Sequence, residues 1–260
     1  KTLEDDLARR DFTINAIALN IESGIENIES TFNIQNSKFN LIDPYSGQED
    51  LKKKIIRAVG DPQERFSEDA LRMMRAVRIA AELGFTIDEE TFEAIKINSA
   101  LVTHVSKERV KDELFKILSC PNPYEGILLF KESGLMQEIL PELEKTFGVE
   151  QKSPGRHHIY DVGNHLLVSL KNCKSTNPVI RLATLIHDIG KPATYKKLKS
   201  GVITFYNHEM VSTKIAENIA ERLKLSNKEK DKLITLVRWH QFTVDERHTD
   251  SAIRRFIRNV

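Results

Sequence analysis

Four charged residues, Asp69, Arg72, Arg75 and Arg78, recur at three-residue intervals in SEDALRMMRAVRIAAELGF, Ser67 to Phe85. The stretch predicts a helix with Ser67 as N-cap, Glu68 and Asp69 in the first turn and Gly84 at its end. Residues three apart on a helix are near neighbours, so the four charges form one polar stripe beside Leu71, Met73, Met74 and Val77. A solvated helix face is one explanation. The other is chemical. A carboxylate only accepts hydrogen bonds and a guanidinium only donates them. Cytosine and adenine each offer an amino donor beside a ring-nitrogen acceptor, whereas guanine and uracil offer the reverse. An Asp69–Arg72 pair one turn apart would accept C and A and leave polar groups unpaired against G and U. Arg75 and Arg78 would remain for phosphates.

A second set lies in the last third, where six histidines occur between His157 and His240. The run RLATLIHDIGKP (Arg181 to Pro192) predicts an apolar helix ended by Gly190 and Pro192, with adjacent His187 and Asp188 at its tip. Two ligands at one helix end suit one or two cations. Further ligands would be His165, His208, His240 and Asp250. His208 and His240 could equally donate to a substrate phosphate, and Asp250 after Thr249 could be a first-turn acid. Lys191 could neutralise a phosphate. His157, His158 and His248 read as surface residues.

The elements that must position these groups fall into three regions: 1–60, 61–148 and 149–260. In the first, Phe12 to Leu19 and Phe39 to Ile42 predict short strands, a hairpin with a long Ser- and Asn-rich insert, followed by the turn DPYSG. From Ile55 to Gly148 the periodicity is helical, with helices over Asp88 to Ser99 and Ser106 to Ser119. GVEQKSPGRHH (Gly148 to His158) has linker composition, and helices resume beyond it.

Composition excludes several classes. A net charge of +1 over 260 residues gives no global attraction to polyanions, so any nucleic-acid site is a local patch. KKKIIR (Lys52 to Arg57) and RRFIR (Arg254 to Arg258) are candidates, though solvated faces explain them almost as well. Two distant cysteines, Cys120 and Cys173, form no disulfide framework or thiolate metal motif and fit a reducing, cytoplasmic setting. No apolar run approaches membrane-spanning length.

RRDFTINAIA (Arg9 to Ala18), DPYSGQEDL (Asp43 to Leu51) and EDALRMMRAVRIAAELGF together resemble three successive motifs of the class II tRNA nucleotidyltransferases. That family comprises the CCA-adding enzymes and their bacterial poly(A) polymerase relatives. HVSKERVKDELFKIL and GLMQEILPEL resemble its neck and body. The resemblance implies a mostly α fold: a β-containing head remnant, a helical neck and body, and an all-α HD-type domain. It implies that Asp69 and Arg72 read the incoming base, with Glu68 holding the arginine. Arg75 would lie near the nucleotide phosphates, and Arg10, Asp11 and Asn15 near triphosphate and ribose. Asp43, Gly47 and Asp50 would shape the hinge between head and neck. The partners implied are tRNA, CTP and ATP, and the cofactor is Mg²⁺. The family's D-x-D carboxylates, which hold that magnesium, have no counterpart here; Glu4, Asp5 and Asp6 read as solvated charges. The chain is therefore expected to be a fragment that cannot transfer a nucleotide alone.

The order H…HD…H…H…D resembles the HD-domain metallophosphohydrolases, which implies a bound divalent metal and phosphomonoester or cyclic phosphodiester substrates. Three functions follow. The first is addition of C and A to tRNA 3′ ends, or the A-only or poly(A) version of it. The second is metal-dependent phosphate hydrolysis, and the third is nucleotide or RNA binding without chemistry.

Overall fold

The computed structural model describes residues 2–21, 39–151, 159–242 and 249–259. The chain is mostly helical. Its first region holds α1 (Leu3–Leu7), a 3-10 turn (Thr13–Asn15), β1 (Ala18–Ile21), β2 (Phe39–Ile42), α2 (Gly47–Lys53) and β3 (Ile55–Ile56). The neck and body follow as α3 (Pro62–Glu68), α4 (Leu71–Leu83), β4 (Thr86–Ile87), α5 (Glu89–Asn98) and a 3-10 stretch (Ser99–His104). They continue through α6 (Lys107–Ser119), α7 (Pro123–Glu132), α8 (Leu135–Ile139) and α9 (Pro141–Glu144). The last region contains α10 (Val162–Asn172), α11 (Pro178–Ile186), α12 (Lys191–Thr194), β5 (Lys196–Lys197) and β6 (Ile203–Thr204), then α13 (His208–Arg222), α14 (Asn227–Arg238) and α15 (Asp250–Asn259).

β1 and β2 pair antiparallel, with Ala18 opposite Ile42 and Ile21 opposite Phe39. The first strand is shorter than expected: Phe12 makes only an isolated bridge to Ala58, and Thr13–Asn15 is a 3-10 turn. The insert predicted within this hairpin lies outside the described residues. The turn before α2 is built by Asp43, whose carboxylate accepts the Gly47 and Gln48 N–H groups at 2.7 and 2.9 Å.

The predicted long helix from Ser67 is two helices. Asp61 caps α3, accepting from the Gln63 N–H at 2.8 Å, with Pro62 in its first turn. Ser67 is inside α3, and its hydroxyl donates back to the Gln63 carbonyl. At Asp69 the backbone turns extended (φ −150°, ψ 100°), and its carboxylate accepts the Leu71 N–H at 3.1 Å. A short acid that can satisfy an orphan N–H ends one helix and starts the next. α4 then runs to Gly84, whose φ of +66° closes it in the left-handed conformation.

Met73, Met74, Ala76 and Val77 bury α4 completely on one side. One apolar core continues from Phe12 through α4, α6 and α7 to Leu182, Ile219 and Val237. The three regions read from the sequence therefore share an interior. Buried Arg181 of α11 reinforces the junction by donating to the carbonyls of Leu118 (2.5 Å) and Cys120 (2.8 Å) at the end of α6. That satisfies carbonyls the helix end leaves unpaired.

Candidate functional site

α4 forms one wall of an open cleft of about 700 Å³, and the loop after α1 and the start of α6 form the others. Arg10, Asp11, Asn15, Asp69, Arg72, Arg75 and Arg78 all line it. Asp11 is buried; it accepts from the Phe12 N–H and the Asn15 amide through Oδ1, and from Arg75 Nε at 2.6 Å through Oδ2. Arg75 is thereby tied to the first region. Arg72 is held harder still. Its Nη1 donates to Glu68 (2.8 Å) and the Arg65 carbonyl (3.3 Å), and its Nη2 donates to the Arg9 carbonyl (2.9 Å). Arg10 projects from the rim, paired with Asp6 at 2.8 Å.

Two expectations about this helix are corrected. Asp69 and Arg72 are not an i,i+3 pair on one helix, because Asp69 stands in the break before α4. Its partner is Arg109 of α6, whose Nη2 lies 2.7 Å from Oδ2. Burial alone would raise the Asp69 carboxyl, but the Arg109 bond, the Leu71 N–H and the nearby Arg72 charge hold it below the usual carboxylate range. Arg78 is not left wholly to a phosphate either, because it bridges Glu113 and Glu82 at 2.7 Å each through Nε and Nη1. Arg57, taken from the basic run, is likewise held by Asp50 (3.2 Å) and Asp88 (2.6 Å); opposite charges nearby outweigh its value as a phosphate donor. Lys52 and Lys53 remain exposed. Sequence reasoning missed Arg109 altogether. It stands four residues before Glu113, a spacing that reads as a solvated helix pair until α6 is placed against α4.

Four histidines converge on one carboxylate. Asp188 is buried at the tip of α11, with His208 Nε2 3.0 Å and His240 Nε2 3.4 Å from Oδ1. His187 and His165 Nε2 lie 3.3 and 3.4 Å from Oδ2. Pro192 opens α12 rather than merely ending α11. Gly190, at this corner, is required by close approach: a Cβ there would lie 2.5 Å from the Ser212 nitrogen and 2.6 Å from the His208 carbonyl. Any larger residue would push α13, and with it His208, away from Asp188. Asp250 begins α15, and its side chain, like His157, His158 and His248, lies outside the described residues.

Tautomers decide what this cluster can hold. The Nδ1 atoms of His187, His208 and His240 face the carbonyls of Thr184, Phe205 and Val237 at 2.7–2.8 Å. A carbonyl only accepts, so each Nδ1 carries a proton and each neutral ring presents an Nε2 lone pair inward. Those lone pairs meet carboxylate lone pairs, His165 Nε2 meets His187 Nε2 at 3.3 Å, and His208 Nε2 also has the Gln241 amide within donating reach at 3.1 Å. Protonating every ring would crowd cations whose ring centres are 5.0–5.4 Å apart. A divalent cation among neutral rings satisfies all of these atoms, and the ligand sets His165–His187–Asp188 and Asp188–His208–His240 have the reach for it. Burial would lower His208, but the Asp188 and Phe205 contacts raise it above the ordinary histidine value. With Nε2 protonated instead, burial of the Asp188 carboxyl would be outweighed by hydrogen bonds from His165, His187, His208 and His240, which would hold it far below the usual carboxylate range. Lys191 Nζ sits 2.7 Å from Asp188 and 2.6 Å from Gln151, at the mouth of an adjoining cavity of about 340 Å³ that also reaches Tyr206 and Gln241.

Comparison with known proteins places these features in a shared frame. Residues 1–57 match the poly A polymerase head domain, 84–147 the probable RNA- and SrmB-binding site of polymerase A, and 158–255 the HD domain. The chain is 34% identical over 265 residues to an A-adding tRNA nucleotidyltransferase of Deinococcus radiodurans, covering 98% of this chain and 56% of that protein. It is 36% identical over 263 residues to a multifunctional CCA protein of Aliivibrio salmonicida, covering 97% and 57%. Its fold is similar to the crystal structure of the Bacillus stearothermophilus CCA-adding enzyme in complex with CTP. There the TM-score is 0.63 at 28% identity, over 97% of this chain and 51% of that one. The chain thus spans about half the length of the relatives it matches.

Proposed function

The chain belongs to the family of tRNA nucleotidyltransferases and poly(A) polymerases, with an HD domain after its helical body, and on that premise we propose that its protein adds C and A to tRNA 3′ ends without a nucleic-acid template. The observation that carries this is Arg72, fixed by Glu68 and two backbone carbonyls beside the acceptor Asp69 in one cleft. Arg72 keeps its Nε–H and one Nη2–H for a ring-nitrogen acceptor, and Asp69 takes the neighbouring amino group. Cytosine and adenine satisfy both; uracil and guanine leave buried polar groups unpaired, which is a strong basis for rejection. Arg10 and Asn15 are placed for triphosphate and ribose, and Arg75, held by Asp11, for phosphate. CTP, ATP and tRNA are the partners of this reading, in the cytoplasm; among the described residues no helix is long and apolar enough to cross a membrane. Asp11, Asp69, Glu68 and Glu82 are each engaged by an arginine. These cleft carboxylates do not make a magnesium site, and no metal step is assigned to them.

The test supplies the full-length protein with tRNA lacking its 3′ end, magnesium and each labelled nucleoside triphosphate. Incorporation of C followed by one A supports CCA addition. Incorporation of A alone, or of a long A tail, moves the protein to the A-adding or poly(A) branch, which shares the base-reading pair. No incorporation overturns the reading.

The lone-pair geometry of the histidine cluster favours a second activity, metal-dependent hydrolysis of phosphomonoesters or cyclic phosphodiesters. His165, His187, Asp188, His208 and His240 would hold the cation, which supplies an activated water and polarises the phosphoryl oxygen when bound. Lys191 is placed to neutralise a phosphate. Metal content after purification and hydrolysis of a 2′,3′-cyclic nucleotide test this; a protein that binds no divalent cation would refute it.

A further inference from the structure

Gln151 stands in the stretch whose composition reads as a linker, ahead of residues 158–255, which match the HD domain. A solvated linker leaves its polar side chains in water, yet this one is only 3% exposed. The backbone before it is clamped to the start of α10. The Val162 and Gly163 N–H groups donate to the carbonyls of Val149 and Thr146 at 3.0 Å each, and Asp161 accepts the Gly148 N–H at 3.0 Å. Helix α10 carries His165, so this segment and the histidine cluster share one support. The Gln151 amide nitrogen reaches the Tyr160 carbonyl at 3.4 Å, and Oε1 accepts from Lys191 Nζ at 2.6 Å. An ammonium only donates, so the amide oxygen must be the atom that faces it.

Lys191 is itself only 12% exposed, with Nζ 2.7 Å from Asp188 and 5.3 Å from the centre of the Phe205 ring. A charge so little solvated needs a partner. Asp188 is a poor one to rely on, because a cation in the cluster would claim the same carboxylate. Gln151 makes no such claim: its two hydrogen bonds go to Lys191 and Tyr160. With one of the three ammonium N–H groups held by Gln151, another is left to turn toward a ligand at the cavity mouth. A neutral amide suits this task. An acid in its place would hold the lysine too, but would repel the anion.

We propose that Gln151 is a positioning residue for phosphate, holding the Lys191 ammonium at the mouth of the cavity when the Asp188 carboxylate is engaged by a cation. The proposal rests on the reading of the histidine cluster as a phosphate-hydrolysing metal site. It extends that site beyond the HD-type region, into the segment that joins it to the body.

The experiment compares the full-length protein with its Gln151→Leu, Gln151→Asn, Lys191→Met and Gln151→Leu/Lys191→Met variants. Titration calorimetry measures the affinity for manganese(II), then the affinity of the manganese-loaded protein for inorganic phosphate. Gln151→Leu keeps a similar volume without an acceptor. It is expected to weaken phosphate binding on the order of tenfold, the scale of one hydrogen bond to a charged group. Gln151→Asn, whose carbonyl is withdrawn by one methylene, should show the same loss in part, and it carries the test if the leucine variant does not fold. In the Lys191→Met background, Gln151→Leu should cost nothing more, because the two residues act as one unit. Unchanged phosphate affinity in Gln151→Leu would overturn the proposal. So would an equal loss with and without Lys191, which would make Gln151 a packing residue; either result leaves the metal site standing. An unaltered protein that binds no manganese would remove the hydrolase reading, and the assignment of Gln151 with it.

Discussion

In and behind the cleft, five carboxylates each meet a guanidinium: Asp11 with Arg75, Glu68 with Arg72, Asp69 with Arg109, and Glu82 and Glu113 with Arg78. In the histidine cluster, four imidazoles converge on the single carboxylate of Asp188. The first arrangement is complete in itself. Its donors and acceptors match, so a ligand finds side chains already oriented and little ordering cost remains. The second is incomplete, because inward-facing lone pairs oppose one another until a cation joins them. On the reading proposed above, one region is organised by folding and the other would be organised by the cation it holds.

The largest effect should come from attacking the incomplete region. Asp188→Asn should weaken divalent-cation binding by more than about 100-fold, beyond what loss of an outer hydrogen-bond partner causes. In the unaltered protein a cation at 100 times its Kd should add about 2.7 kcal/mol to stability, read as a rise in thermal midpoint. The variant should show no such rise. If the unaltered protein shows none either, the histidines form a protonated network around Asp188, and the contrast with the cleft disappears.

A second variant sharpens the other side of the contrast. Glu113 is buried, and Arg78 beside it is only 15% exposed, so removing the acid leaves a guanidinium with half its partners in a poorly solvated place. Glu113→Ala should cost about 3 kcal/mol in urea unfolding and leave cation affinity unchanged. A loss below about 0.5 kcal/mol, the range of an ordinary surface substitution, would mean that the cleft's charges are arranged by solvent rather than by pairing.

What was legible in the sequence follows the same division. The helices over Asp88–Ser99 and Ser106–Ser119 and the tip carrying His187 and Asp188 rest on local signals, namely caps, periodicity and breakers, and α5, α6 and α11 follow them closely. The convergence of His165, His187, Asp188, His208 and His240 could be anticipated because metal ligands are few in kind and stand out. The break at Asp69 could not. An acid followed by alanine and a periodic run reads as a first helical turn, and only the carboxylate's bond to the Leu71 N–H shows it closing one helix and opening another. Nor could the partners of Arg57, Arg78 and Arg109, since arginine and glutamate at helical spacing look alike whether they face water or a neighbouring helix. The continuous core across Gly148 was hidden for a related reason: linker composition reports local conformation, not what the flanking helices bury.

The smallest effect tests how far the two regions depend on each other. Arg222 of α13 grips Glu142 of α9 with two bonds, at 2.7 and 2.8 Å, and also donates to the Ile139 carbonyl. Helix α13 begins with His208, so this link ties the body to the histidine cluster. Burial would raise the Glu142 carboxyl, but Arg222 pulls it below its ordinary value of 4.5. A carboxyl lowered in the folded state binds fewer protons there than in the unfolded chain. Its stabilisation is therefore present above about pH 4.5 and is lost as pH falls through the lowered value. Glu142→Gln should cost about 1 kcal/mol at neutral pH, at the upper end for a part-exposed pair. The gap between variant and unaltered protein should narrow in urea titrations repeated at steps of pH falling below 4.5. If the cost persists undiminished in acid, the contact works through shape rather than charge. If Glu142→Gln also weakens cation binding, the histidine cluster draws part of its geometry from the body, and the two regions are organised together.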